Sequence, residues 1–143
     1  MKQYDLSRLS DQELDLALES AAAREREANA ALLADLAEVD ARKLYLSLGH
    51  DSMLAYCVDE LGLDDDEAPG RIVVARVARA FPVIFEAIAE GRLHNEAVIL
   101  LAPHLTRETV DELIVLATHK GETEIVRLLA ERFPDCHPTA PRP

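Results

Sequence analysis

The hydrophobic positions near the start of the chain follow a helical period over a long stretch. No Gly or Pro occurs from Ser10 to about Leu46. Ser10 and Glu13 form a capping-box pattern, which marks a helix start. Within the stretch, apolar residues recur at spacings of three, four and seven, as one face of a helix requires. This stripe consists of Leu14, Leu18, Ala21, Ala28, Leu32, Leu36 and Val39.

A helix of this length is longer than a compact domain of this size needs, since about 35 residues span roughly 50 Å. It therefore either packs along several shorter helices or pairs with a partner chain. The stripe thins over residues 24–27, Arg-Glu-Arg-Glu, where a break or a solvated middle is expected. One expectation is thus a homo-oligomer, a dimer, that forms through the seven stripe residues.

The rest of the chain predicts about six shorter helices, separated by Gly, Pro and capping residues. Their expected ranges are 53–61, 65–81, 83–90, 95–102, 107–118 and 122–133. The chain has 143 residues, no Trp, and only three Phe and three Tyr, which argues against a sandwich or barrel. We therefore expect an all-α fold, an orthogonal helical bundle over residues 1–133. Residues 134–143 contain four prolines and predict a mobile tail.

The charge is unevenly distributed along the chain. Of the formal net charge of −12, residues 1–67 carry −11, from six Lys and Arg against seventeen Asp and Glu. Such an acidic half repels a nucleic-acid backbone, so only a local basic patch could bind one. The helix predicted over 65–81 offers Arg71, Arg76 and Arg79, which fall within an arc of about 140° at 100° per residue.

These three arginines, with Arg92 as an extension, allow two interpretations. They form either a face that contacts phosphates or a solvated face that pairs with acids of the first half. The opposite side of the same helix is expected to face the core; it carries Val73, Val74, Val77 and Phe81.

Residues 52–81 also resemble a helix-turn-helix pair that turns at Gly62. The start of its second helix, residues 64–67, is Asp-Asp-Asp-Glu, which has the wrong sign for DNA. Pro69 and Gly70 are interpreted as the first turn of that helix, with a kink as the alternative.

Catalytic and metal-binding patterns are absent from the sequence. The histidines lack the i, i+4 spacing of a helical zinc site, and the adjacent pair Cys136 and His137 gives no ligand set. Nucleophile motifs and Gly-rich phosphate loops are missing too. We therefore expect no enzyme, no metal or other cofactor and no small-molecule substrate. Cys57 lies in an apolar stretch and predicts a buried free thiol.

The sequence gives no sign of export or membrane insertion. The N-terminus lacks the apolar core of a signal peptide, and no run reaches about 18 apolar residues. A cytoplasmic location is expected.

Several short motifs occur in a recognisable order. They lie in RKLYLSLGHDSMLAYCVDELGL (42–63), ARVARAFPVIFEAIAEGRLHNEAVILLAPHLT (75–106) and EIVRLLAERFP (124–134). Together they resemble the N-terminal helical domain of bacterial HNH-endonuclease-family proteins. In that family the nuclease chemistry lies in a following HNH domain, and this chain stops where that domain would begin. The resemblance implies a non-catalytic DNA-binding or nuclease-positioning module, either truncated or a stand-alone relative. The sequence departs from the family at residues 64–70, which puts DNA contact through the helix predicted over 65–81 in doubt.

Overall fold

The computed structural model describes residues 4–134, and this part of the chain is helical with no β-strand. The all-α prediction is confirmed, with one long helix and seven shorter ones. Apart from Pro134, the predicted mobile tail lies outside the described residues, as do Cys136 and His137. The α-helices are α1 (Asp11–Arg42), α2 (Leu44–Ser47), α3 (Met53–Ala55), α4 (Ala68–Ala80), α5 (Val83–Ala89), α6 (Asn95–Leu101), α7 (Val110–Ala117) and α8 (Glu122–Arg132).

The predicted capping box begins α1. The Ser10 hydroxyl accepts a hydrogen bond from the Glu13 N–H at 3.1 Å, and the Glu13 carboxylate accepts one from the Ser10 N–H at 2.9 Å. The helix has 32 residues and ends at Arg42, earlier than the predicted end near Leu46. Lys43 adopts a left-handed conformation, with φ of 53°, and the chain restarts as α2. The change of direction lets Tyr45 pack against the core, whereas a straight continuation of α1 would carry it past the packed helices.

The core is one cluster of apolar side chains between the second half of α1 and the later helices. From α1 it receives Ala30, Leu33, Leu36 and Ala37, and α1 packs mainly against α4 and α5. Behind them α4 contacts α6, and α8 packs on both α6 and α7. The largest fully buried side chains are Leu33, Leu36, Ile84, Ile88, Leu101, Leu113 and Ile125.

The helix predicted over 53–61 is split. After α3 the backbone widens into a π-helical turn, Tyr56–Glu60, in which the Leu61 N–H donates to the Tyr56 carbonyl. Gly62 then ends the element with φ of 72°, a left-handed conformation that favours glycine. Cys57 is fully buried as a free thiol, as predicted, and burial raises its pKa.

The structure settles the start of α4 and corrects one of its faces. The second helix of the helix-turn-helix-like pair, α4, begins at Ala68 and the acidic residues before it form a turn, which agrees with the preferred start at Pro69 rather than with the longer range from residue 65. Pro69 lies in the first turn of α4, as the preferred interpretation has it. Val73 is 40 % exposed and does not face the core, whereas Val74 is fully buried. The buried residues of α4 are Ala68, Ile72, Val74, Ala75 and Ala78, so its core face is rotated around the helix from the predicted one.

The observed α6 and α7 differ from the ranges predicted for them. The one predicted over 95–102 ends at Leu101 and continues as a 3₁₀ turn, Ala102–His104, because Pro103 cannot extend the α-helical hydrogen bonds. The one predicted over 107–118 begins at Val110. Thr106 and Thr109 cap each other's N–H groups, at 2.9 and 3.1 Å, which closes a turn before regular helix starts.

A glycine inside α4 marks the closest approach of two helices. A Cβ built on Gly70 would lie 3.3 Å from the Cδ1 of Ile99 on α6. Tight contact with α6, rather than a kink, accounts for a residue that lowers helix propensity by up to about 1 kcal/mol.

Candidate functional site

The four predicted nucleic-acid-binding arginines are all engaged by carboxylates. The Arg76 guanidinium donates two hydrogen bonds of 2.8 Å to the Asp40 carboxylate of α1, and Arg79 donates one of 2.9 Å to Glu38 of α1. A guanidinium nitrogen of Arg71 lies 3.6 Å from a carboxylate oxygen of Glu67, and the Arg92 guanidinium donates to the Glu90 carboxylate at 2.8 Å. The second interpretation of the sequence, a face that neutralises acids, therefore describes these contacts.

The two longer-range pairs shift the titration of their acids. Hydrogen bonds from Arg76 hold the pKa of Asp40 below its ordinary value, against a smaller opposing effect of burial. Hydrogen bonds from Arg79 and then Arg42 lower the pKa of Glu38. Asp40 and Glu38 are therefore negatively charged near neutral pH. Their charges cancel those of Arg76 and Arg79, which would otherwise attract a phosphate.

The first half of α1 extends beyond the packed helices. We call residues 11–28 the arm. Every side chain in the arm is exposed except Ala23, which is half-buried. At 1.5 Å per residue the arm is about 27 Å long. Its three leucines are exposed by 43 % at Leu14, 58 % at Leu16 and 66 % at Leu18.

The predicted oligomerisation stripe is divided between two surroundings. Leu36 is buried in the chain's own core, and Leu32 and Val39 pack partly against it. Leu36 and Val39 serve the internal fold, which corrects the expectation that the whole stripe is available to a partner, whereas the half-buried Leu32 also lines the groove described next. The exposed part of the stripe consists of Leu14, Leu18, Ala21 and Ala28.

A groove of about 1000 Å³ opens where the arm joins the packed half of α1. Its walls come from α1, the start of α4, the α5–α6 connection, the first part of α6 and the α7–α8 connection. Apolar side chains among its lining are Ala28, Leu32, Ile88, Leu93 and Ile99. The charged lining is balanced, with Arg26, Arg71, Arg92 and Lys120 against Glu25, Asp66, Glu67 and Glu96.

Hydrogen bonds between distant segments shape this groove. The Nδ1 of His94 accepts from the Ala97 N–H at 3.1 Å and so caps α6. This acceptor role places the ring proton on Nε2, which lies 3.2 Å from the Lys120 carbonyl oxygen. The His119 N–H donates to the Arg92 carbonyl at 3.0 Å. The α5–α6 and α7–α8 connections are therefore fastened to each other.

The contact between α1 and α6 holds the inner end of the groove. The amide nitrogen of Asn29 donates to the Asn95 side-chain oxygen at 3.0 Å. Sequence reasoning missed the groove, because its lining comes from five segments that no single motif connects.

The described residues offer little for catalysis. Within residues 4–134 no charged or polar residue is fully buried. One cluster of three carboxylates, Asp64, Asp65 and Asp66, has its oxygens within 4.8 Å of one another, but all three are exposed and form part of the turn before α4. Across the described range, none of the helices has the length and apolar character that crossing a membrane requires.

Comparison of the chain with known protein families, with characterised proteins and with solved structures gives no match. The resemblance to the helical domain of HNH-endonuclease-family proteins stays a prediction from the residues quoted above.

Proposed function

We propose that this chain is a protein-interaction module that associates with a second copy of itself through the arm of α1. The observation that carries the proposal is the exposure of the arm. A helical segment of 18 residues keeps an apolar stripe in solvent, while the other half of the same helix is built into the core. A partner that covers the stripe would remove its apolar side chains from water, which is favourable.

The stripe supports a weak association by itself. Burying an exposed Leu contributes at most about 1.5–3 kcal/mol. Leu14 and Leu18 are already partly covered by their own helix, so about 1 kcal/mol each is reasonable, or about 4 kcal/mol for two chains. A micromolar complex needs about 8 kcal/mol. Contacts outside the leucines of the stripe must supply the remainder.

The test uses two leucines on opposite sides of the arm. At about 100° per residue, Leu16 lies some 160° away from Leu18 around the helix. We expect sedimentation equilibrium to show a concentration-dependent dimer for the wild-type chain. Leu18→Asp should shift it to monomer, because a carboxylate would be buried in the contact.

Leu16→Asp is the matched control, with the same change of charge and nearly the same exposure. It should leave the dimer intact, and circular dichroism should show both variants to be folded. A wild-type chain that stays monomeric at millimolar concentration would refute the proposal, as would equal effects of the two substitutions.

DNA binding is the weaker candidate, because each of the four arginines faces a carboxylate and the chain carries a net charge of −12. If Arg76 and Arg79 nevertheless bind phosphate, a duplex should shift in a gel at low salt. Charge reversal at both positions should then abolish the shift. No shift with any duplex at low salt would exclude this function.

A further inference from the structure

We infer that the two copies associate with their arms antiparallel, so that the arm of each chain lies in the groove of the other. The inference rests on the proposed self-association and adds its direction, register and second contact surface. It commits to one occupant for the groove, residues 11–20 of a second copy.

Charge decides the direction. Residues 11–20 carry four acids, Asp11, Glu13, Asp15 and Glu19, and no Lys or Arg. Residues 21–30 carry two arginines and two glutamates and are neutral. A parallel pair would set the four acids of one arm beside the same four of the other, within the Debye length of about 8 Å. In an antiparallel pair with the register given below, residues 11–20 lie beside the partner's residues 26–35, which carry a net charge of only −1, so like-charge repulsion is smaller.

The stripe sets the register. Its residues Leu14, Leu18, Ala21, Ala28 and Leu32 follow spacings of four and three, with the charged Glu25 at the one heptad position between Ala21 and Ala28 that the stripe leaves out. In an antiparallel pair these positions meet when the two residue numbers add to 46. Leu14 then packs on the partner's Leu32 and Leu18 on the partner's Ala28, with the twofold axis near Ala23.

This register brings each arm to the partner's groove. Ala28 and Leu32 belong to the stripe and also line the groove, so a helix that follows the stripe arrives there without a bend. The exposed groove residue Ile99 then lies beside the docked segment.

Unpaired cations in the groove face the acidic segment. Arg26 and Lys120 form no ion pair with any residue in the described part of the chain, and both line the groove. An incoming segment with four carboxylates is the kind of partner that these two side chains fit.

The area of contact supports the same arrangement. An arm about 27 Å long and 10 Å wide presents a footprint on the order of 270 Å². Stable complexes bury about 800 Å² on each partner, so an arm-to-arm contact alone falls well short. Two symmetry-related contacts between an arm and a groove add buried area at both ends of the arm-to-arm contact.

Disulfide cross-linking tests the direction. The experiment uses the full chain with Cys136→Ser, and Cys57 is left in place because it is fully buried. Chains with Leu18→Cys are mixed with chains with Ala28→Cys and oxidised. The antiparallel register predicts a mixed dimer between the two variants and little cross-linking of Leu18→Cys chains with each other, since those two sites lie about ten residues, or 15 Å, apart. Rapid cross-linking of Leu18→Cys with itself, without the mixed product, would show a parallel pair and overturn the inference.

Two charge reversals test the groove. Lys120→Glu should raise the dimer dissociation constant about tenfold or more, because it places a carboxylate beside the partner's acidic segment. Arg107→Glu makes the same change of charge at an exposed position outside the groove and should change it less than about twofold. Equal effects would refute docking in the groove.

The outcomes separate the inference from the proposed function. If sedimentation shows a dimer but cross-linking shows a parallel pair, self-association stands and the antiparallel arrangement fails. If sedimentation of the unmodified chain shows only monomer, both fail.

Discussion

The pair formed by Arg76 and Asp40 should be the strongest single polar contact between α1 and α4. We expect a double-mutant cycle with Arg76→Ala and Asp40→Ala to give a coupling energy of about 1 kcal/mol. Exposed ion pairs contribute about 0.2–1 kcal/mol. This pair lies at the upper end because it is bidentate and because the Asp40 side chain is only 19 % exposed.

The two single substitutions should differ in cost. Arg76→Ala leaves a mostly covered carboxylate without its donors, which costs about 1.5–2 kcal/mol of unfolding free energy. Asp40→Ala should cost less, about 1 kcal/mol, because the Arg76 side chain is 57 % exposed and can be hydrated. Removing an acid from the last turn of α1 also relieves its repulsion with the helix dipole. The cycle for Arg79 and Glu38, both about half exposed with one hydrogen bond, is the control and should give a smaller coupling energy.

The pH dependence of the coupling follows from the pKa of Asp40. Arg76 lowers this pKa in the folded state, so the contribution is fully present above the unfolded value, near 3.8, and is lost as the pH falls through the folded value. Wild type should therefore lose more stability on acidification below about pH 4 than Arg76→Ala does.

Urea denaturation followed by circular dichroism, at one protein concentration because self-association affects stability, measures both effects. A coupling energy no larger than that of the control cycle, or one that persists undiminished at about pH 2, would contradict this account of the pair.

Four further substitutions test the packing and the helix ends. Leu33→Ala should lower the unfolding free energy by about 2–5 kcal/mol, since the side chain is fully buried, and a loss below 1 kcal/mol would mean that α1 is not part of the core. Gly62→Ala should lower the unfolding free energy by about 1 kcal/mol through its left-handed backbone alone. Gly91→Ala should lower it by at least as much, because a Cβ at Gly91 would lie 2.7 Å from the Arg26 Nε and displace that side chain. If Gly91→Ala is the milder change in the same urea titration, the close approach of Arg26 is not populated in solution. His94→Ala removes the cap of α6 and the hydrogen bond to the α7–α8 connection, so it should lower the unfolding free energy by about 1–2 kcal/mol. Hydrogen exchange of the Ala97 amide should become faster, and unchanged exchange would disprove the cap.

The helices and most of their ends could be predicted because their causes lie within a few residues. Ser10 and Glu13 satisfy each other's N–H groups three residues apart, and Gly62 and Gly91 accept the left-handed conformation that ends a helix. The errors came where distant contacts override local preference. Lys43 is left-handed without being Gly, and Val73 of α4 is exposed although the prediction placed it in the core.

The candidate surfaces were only half determined by the sequence. Heptad spacing located the stripe, and it could not say that Leu36 packs internally while Leu14 and Leu18 remain exposed, because both kinds of position share one period. The arginines were located too, but their role was left open. Arg76 meets Asp40 across 36 residues and Arg79 meets Glu38 across 41.

The local pattern of this sequence therefore determined an acidic, all-helical chain with one overlong first helix and the places where its helices begin and end. Only the tertiary structure decided which half of that helix is packed, that the arginines are paired and that a groove exists. The physical reason is the separation along the chain of the residues that interact. A helix is stabilised by hydrogen bonds four residues apart, whereas burial, ion pairing and a groove lined by five segments depend on how the helices pack.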